Sequence, residues 1–329
     1  MRPSTIIYAL TLAFLLAAPA IGLYPVFMMK LLCFAMFACG FNLLLGYAGM
    51  LSFGHAAYFG FAAYITGWFA TALGWPTMLS VVVGVLASAL LGLVIGALAI
   101  RRSGIYFAMI TLALGQLVYF ICLQAPFTGG EDGIQGVPRG SLFGVIGLQS
   151  DITMYYFVLV MFVAVFLFIQ RIVHSPFGQV LKAIRENEPR AISLGYDVNR
   201  FKLLAFVLSS AIAGLAGSLK CLTLGLATLS DVLQWTSGEV VLMTLLGGTG
   251  TFLGPVVGAG VVVTLQEYLS DIVGAWVTVI IGAIFVACVL AFRKGLVGEI
   301  EAWQQRRVAR RAGAAVKPEA APEASAATR

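Results

Sequence analysis

A chain of 329 residues with 60% hydrophobic and 10% charged residues, and a mean hydropathy of +0.99, is too apolar for a water-soluble globule, whose charged share is about 25%. Its formal net charge of +6 comes from cations at Arg101–Arg102, between Arg171 and Lys202, and from Arg293 onward. Each group stands beside an apolar run, so positive-inside topology explains the charge without a nucleic-acid partner.

The first run, Thr5 to Tyr24, is long enough for about 30 Å of hydrocarbon and ends at Pro25. Its start resembles a signal peptide, but a second apolar run follows at once, which favours an uncleaved span. Val26 to Leu45 is the second span, with Lys30 required to snorkel or to face protein. The third stretch, Gly46 to Leu73, carries glycines at 46, 49, 54, 60 and 67, with Asn42, Ser52 and His55 in or just before its first half. Interior glycine costs a helix about 1 kcal/mol relative to alanine, so this stretch reads as a broken helix lining a protein-enclosed space. Met78 to Ile100 and Gly104 to Leu123 follow as plain spans. Residues 124–151 are rich in Gly and Pro and read as an external loop with tight turns; Thr153 to Gln170 crosses back.

Arg171 to Lys202 is a polar island. A charge at mid-bilayer costs about 2.5 to 3.5 kcal/mol, which places the island outside the lipid, and its Lys/Arg excess predicts the cytoplasmic side. Ser175 and Pro176 predict the N-cap and first position of a short helix extending to Glu188; Pro189 predicts a second helix over Arg190 to Leu194 that stops at a left-handed Gly195. Val180, Ala183, Ile184, Ala191 and Leu194 supply small apolar surface suited to docking another protein. An ordinary loop that carries charge only to set topology is the alternative.

Leu203 to about Leu226 forms a further span with Gly214 and Gly217 as a close-packing face and Lys220 near its outer end; Asp231 to Glu239 reads as external. Two glycine-rich pieces, VVLMTLLGGTGTFLGP and VVGAGVVVTLQEYLSD, lead into a last span, Ile272 to Phe292. The expected organisation is an all-α polytopic membrane protein of eight to ten transmembrane helices over 1–292, then a basic tail over 293–329 that is cytoplasmic and largely disordered. The five cysteines, Cys33, Cys39, Cys122, Cys221 and Cys288, stand singly in apolar runs and predict buried thiols, with neither metal site nor disulfide framework.

Each half contains one glycine-interrupted segment, GYAGMLSFGHAAYFG and LLGGTGTFLGPVVGAG, the pattern that points to a translocation site near the membrane midplane. The candidate pathway residues are Asn42, Ser52, Gly54 and His55 in the first and Gly247, Gly248 and Thr249 in the second. Close helix packing without substrate contact is the alternative for each. No phosphate-binding loop, HExxH or GxSxG occurs, so neither ATP binding nor catalysis has a foothold in this chain.

Four blocks, GYAGMLSFGHAAYFGFAAY, GIYFAMITLALGQ, TGGEDGIQGVP and KAIRENEPRAISLGYDVNRFKLLAFVLSSAIAGLAGSL, with GGTGTFLGPVVGA near the end, together resemble the M-type membrane subunit of bacterial ABC importers for branched-chain amino acids. Permeases for urea and short amides are similar, which leaves the substrate open. The resemblance implies that the island couples to a cytoplasmic ATPase through Ala183, Ile184, Arg185, Glu186, Asn187, Glu188, Ala191 and Gly195. It also implies two ATP-binding subunits that hold the ATP and Mg, a second permease chain and a periplasmic substrate-binding protein. This chain itself would need no cofactor and would sit in the bacterial inner membrane. A self-sufficient secondary transporter or channel is the competing class; it needs intramembrane carboxylates, for which the candidates are Glu239, Glu267 and Asp271.

Overall fold

The computed structural model describes residues 11–142, 146–276, 279–284, 286 and 295–299. The tail expected to be disordered beyond Arg311, Cys288, the side chain of Asp271 and residues 277–278, 285 and 287–292 of the last predicted span lie outside the described residues, and the first span is described from residue 11 onward. Ten α-helices have both ends among the described residues: α1 Pro25–Asn42, α2 His55–Thr71, α3 Thr77–Ala99, α4 Ile105–Gln124, α5 Asp151–His174, α6 Pro176–Glu186, α7 Glu188–Ser193, α8 Val198–Leu224, α9 Gln234–Gly247 and α10 Gly254–Val273. A π-helical turn, Leu43–Tyr47, prolongs α1. Among the described residues five helices are long and apolar enough to cross a membrane: α1 with its π turn, α3, α4, α5 and α8. The 14 residues of α9 reach about 21 Å, short of a full crossing, because Gly247 and Gly248 end the helix early.

The chain is an all-α polytopic membrane protein built around α1 and α8. From Leu32 to Leu44 every residue of α1 and its π turn is buried, enclosed by α5, α8, α9 and α10. α8 packs on α2 and α3 through small residues: a side chain at Gly217 would overlap the Phe59 carbonyl, and one at Gly214 would meet Ser88. Removing side chains lets backbones approach where lipid supplies no hydrophobic drive, and hydroxyls then join the helices. Ser88 Oγ donates to Ser210 O at 2.8 Å, and Thr66 Oγ1 donates to Ser218 Oγ at 2.8 Å.

The two ends of the bundle differ in charge. One end gathers the α3–α4 turn with Arg101 and Arg102 and the short helices α6 and α7. The opposite end holds the Gly-rich loop, which is not purely irregular: β1 (Ile134–Gln135) pairs antiparallel with β4 (Leu226–Ala227), and β2 (Ser141–Leu142) with β3 (Ile146–Gly147). Arg139 ties this loop to the helices, bonding Asp151 at 2.5 Å and Thr223 O at 2.9 Å. Lys30, predicted to face lipid headgroups or protein, pairs with Glu267 at 2.7 Å. Asp231, predicted to be external, is buried against Lys220 at 2.5 Å, because the chain after α8 folds back as a short helical turn onto α2. The four described cysteines are buried free thiols.

The polar island is helical almost throughout. Arg171 to His174 complete α5, and α8 begins at Val198 instead of after Lys202, because the Asp197 carboxylate accepts from Arg200 N at 3.3 Å and caps it. Between them Ser175 Oγ accepts from Gly178 N at 3.4 Å and caps α6, with Pro176 in its first turn. α6 stops at Glu186, before the predicted Glu188, because Asn187 leaves the helix and caps α7 by accepting from Arg190 N at 3.1 Å. Gly195 takes φ of 86° after α7.

Candidate functional site

The two glycine-interrupted segments meet at the cation-rich end. The first break begins at the π turn and continues as irregular chain from Gly49 to Gly54 before α2 starts. The second runs from Gly248 to Leu253, between α9 and α10; Gly248 and Gly250 have φ of 118° and 78°, which side chains of L-residues rarely adopt. One side chain joins them. Asn42 is buried, its Oδ1 accepts from Gly250 N at 3.0 Å, and its Nδ2 donates to Thr251 O at 2.9 Å. Both functions of the amide therefore replace hydrogen bonds that the broken helix cannot make for itself. Any side chain at Gly46 would strike Asn42 and Gly250 N and force the breaks apart.

The island reaches this junction at three places. Arg185 Nη1 donates to Gly46 O, a carbonyl at the π turn, while its aliphatic stem lies over Gly49. Lys182 Nζ stands 5.8 Å from the centroid of the Tyr47 ring. His174 stacks on Phe252 of the second break, with centroids 5.3 Å apart and planes 8° from parallel. Tyr47 and Phe252 are themselves ring neighbours at 5.8 Å. α5, α6 and both breaks thus form one connected cluster.

The predicted coupling residues divide into two sets. Ile184 and Ala191, with exposures of 3% and 2%, face inward and pack with Val198 into a small core that locks α6, α7 and the start of α8 together. They were expected to offer docking surface; burial makes them the brace behind it. Ala183, Glu186, Asn187 and Gly195 are exposed, as are Ile192, Leu194 and Tyr196, so the outward apolar surface lies on α7 and the turn after it. Glu188 pairs with Lys202 at 2.7 Å, which fastens α7 to α8. A cavity of about 570 Å³ opens between the first break, the α3–α4 turn and the short helices, with Gly49, Phe53, Arg102, Phe107, Arg185 and Lys202 among its walls.

The predicted pathway residues do not share one surface. Asn42 holds the junction, with Gly247, Gly248 and Thr249 on its other side. Gly54 lies against α4, where a Cβ would overlap the Thr111 carbonyl, and Gly115 of α4 returns the contact. Ser52 is fully buried. His55 is enclosed by Phe37, Phe41 and Tyr58, with ring centroids 5.2 to 5.8 Å away. Its Nε2 lies 3.0 Å from Ser209 Oγ, and Ser209 spends its own proton on Gly40 O at 2.6 Å, so Nε2 carries the hydrogen and donates. His55 therefore ties α2 to α8 and α1. Among the described residues no group of three or more His, Cys, Asp and Glu side chains is disposed to hold a metal ion. Sequence reasoning missed the Asn42 bridge and the reach of Arg185, since neither has a local signature. An Asn at the end of an apolar span was the available signal.

A family described as "Branched-chain amino acid transport system / permease component" matches residues 25–289. The chain is 30% identical over 260 residues to the high-affinity branched-chain amino acid transport system permease protein LivM of Escherichia coli (strain K12), covering 70% of this chain and 60% of that one. It is 32% identical over 184 residues to a probable branched-chain amino acid transport permease protein LivM of Methanocaldococcus jannaschii, covering 54% and 52%. The autoinducer 2 import system permease protein LsrC of Klebsiella pneumoniae is 29% identical over 188 residues, covering 54% and 50%. The match thus spans about 60% of the length of the Escherichia coli relative. No solved structure matches the chain. With both glycine-broken segments and the island falling inside the matched region, the chain belongs to the branched-chain amino acid transport system permease family.

Proposed function

We propose that this chain is the membrane-spanning subunit of an ATP-driven importer that moves leucine-, isoleucine- or valine-like amino acids into the cytoplasm. ATP and Mg would be held by two separate cytoplasmic subunits docked on the exposed surface of α6 and α7. A second permease chain would complete the transmembrane part, and a periplasmic binding protein would deliver substrate. The positive end of the bundle would then be cytoplasmic, together with the C-terminal tail, in a bacterial inner membrane.

The observation that carries this reading is the attachment of Arg185 to Gly46. A docking helix whose guanidinium grips the carbonyl of a broken membrane helix, and whose neighbours touch the facing break, is a lever with its load already attached. The brace of Ile184, Ala191 and Val198 supplies the stiffness that a lever requires. The sequence has no phosphate-binding loop, so this reading assigns the energy to partner chains.

Arg185→Glu places a carboxylate against the Gly46 carbonyl and tests the lever. The expected result is uptake near background, with the protein retained in the membrane, the ATPase subunits still co-purifying and their hydrolysis intact. Uptake at the wild-type rate would remove the lever assignment.

A further inference from the structure

Three acids at the end of the bundle away from the short helices are matched with cations, while Glu131 and Asp132 stand exposed on the Gly-rich loop. Lys30 holds Glu267 at 2.7 Å, Lys220 holds Asp231 at 2.5 Å and Arg139 holds Asp151 at 2.5 Å. Glu239, a little over one turn into α9, has no such partner among the described residues. Its Oε1 accepts from two neutral donors, Trp235 Nε1 at 3.0 Å and Gln266 Nε2 at 2.6 Å, and no described residue donates to Oε2. The charges close enough to act on it are Lys30 and Asp231, and both are already paired.

Kept ionised, this carboxylate is costly without a cation beside it. An ionised side chain within a membrane helix is disfavoured by about 2.5 to 3.5 kcal/mol, and the groups that persist there pair with one another or face a water-filled route. Glu239 is only half-buried, and Trp235 beside it is 55% exposed, so the carboxylate is reached from the outer surface of the bundle. One turn earlier on α9, Gln234 Oε1 accepts from Gln116 Nε2 of α4 at 3.4 Å. Four polar side chains, Gln116, Gln234, Glu239 and Gln266, thus lie on α4, α9 and α10. Oε1 is held fixed by its two donors, which leaves Oε2 oriented and available.

We infer that Glu239 is the binding group for the ammonium of the transported amino acid, at the end of the bundle opposite the short helices. The inference rests on the amino-acid import reading and sharpens it. A carboxylate without a partner favours a substrate that carries a primary ammonium and gives no comparable advantage to urea or a neutral amide. The amides around it supply hydrogen bonds without adding a competing charge.

The test uses the complete transporter in proteoliposomes, with ATP inside and binding protein loaded with radiolabelled leucine outside. In Glu239→Gln the amide oxygen still accepts from Trp235 and Gln266, so only the charge is lost. Leucine uptake is expected to fall about tenfold or more, with ATP hydrolysis stimulated by loaded binding protein staying within about twofold of wild type. Gln266→Leu removes one hydrogen bond and keeps the charge, and its uptake is expected within about threefold of wild type. The inference is overturned if Glu239→Gln transports within about twofold of wild type, or if Gln266→Leu loses as much, which would make the group a helix tie. Loss of the sister permease on purification of Glu239→Gln overturns it too, since the cation would then belong to that chain. A wild-type complex that takes up urea and not leucine fails at the import reading itself, before any variant is compared.

Discussion

The two glycine-interrupted segments look alike in sequence and are held in opposite ways. The first is clamped: Gly54 rests on the backbone of α4, His55 is boxed in by three aromatic rings and bonded to Ser209, and Ser52 is fully buried. The second, Gly248 to Leu253, is fastened by the Asn42 amide, the Thr251 hydroxyl and the stacking of Phe252 on His174, and Thr249 to Leu253 are only partly buried. Glycine serves both purposes in both segments: in the first Gly49 takes φ of 72° and Gly54 makes room for α4, and in the second Gly248 and Gly250 take positive φ while Gly247 and Gly258 make room for neighbouring backbone. We take the second break, whose residues are the less buried, as the part expected to yield first if α5 and α6 move.

The largest effect should come from the clamped side. Gly54→Leu drives a side chain into the Thr111 carbonyl of α4, where only backbone could yield, and is expected to leave no folded protein in the membrane fraction. Thr249→Leu, in the partly exposed second break, is expected to leave the amount of folded protein at the wild-type level. Equal recovery of the two variants by size-exclusion chromatography would erase the distinction between clamp and hinge.

Asn42→Leu keeps approximate size and cuts both bonds between the breaks. Gly250 N and Thr251 O then lose their partner, at about 1–3 kcal/mol for each group left unsatisfied. Thermal unfolding of the purified chain should show a clear loss of stability. The matched variant on the clamped side, Ser209→Ala, removes the acceptor of His55. An unchanged melting temperature in Asn42→Leu would mean that the breaks are held together by packing alone.

What could be read ahead of the structure follows the range of each interaction. Ser175 with Pro176, and Gly195, announced the ends of the short helices because caps act within three residues, and the apolar runs announced the spans because lipid acts on each helix separately. Asn187 gave no such notice, since Pro189 drew the second helix start later than the Asn cap allows. Ile184 and Ala191 were taken for outward surface because a polar island offers no sequence cue to which face meets the membrane body. Asn42 and Gly250 are 208 residues apart, and Arg185 lies 139 residues from Gly46, so no periodicity could pair them. Glu239 was noticed only as a carboxylate near a helix start; its lack of a partner emerged once Lys30 and Lys220 were seen to be taken by others.

The smallest effect separates the two jobs of Thr251. Its Oγ1 accepts from Gly254 N, the first residue of α10, at 3.1 Å and donates to Gly248 O at 2.8 Å across the loop. Thr251→Val removes both bonds with little change of volume, whereas Thr251→Ser keeps them and removes a methyl group. Loss of a hydrogen bond of this kind costs about 1 kcal/mol, so the valine variant should melt slightly below wild type and the serine variant close to it. In uptake the order is expected to differ from that of the clamped side. A hinge with fewer restraints still moves with α6, so Thr251→Val should retain most transport, measured as initial rate of leucine uptake. A collapse of transport in Thr251→Val without a matching fall in melting temperature would show that the loop works by holding one shape, and the assignment of the second break as the moving part would fail.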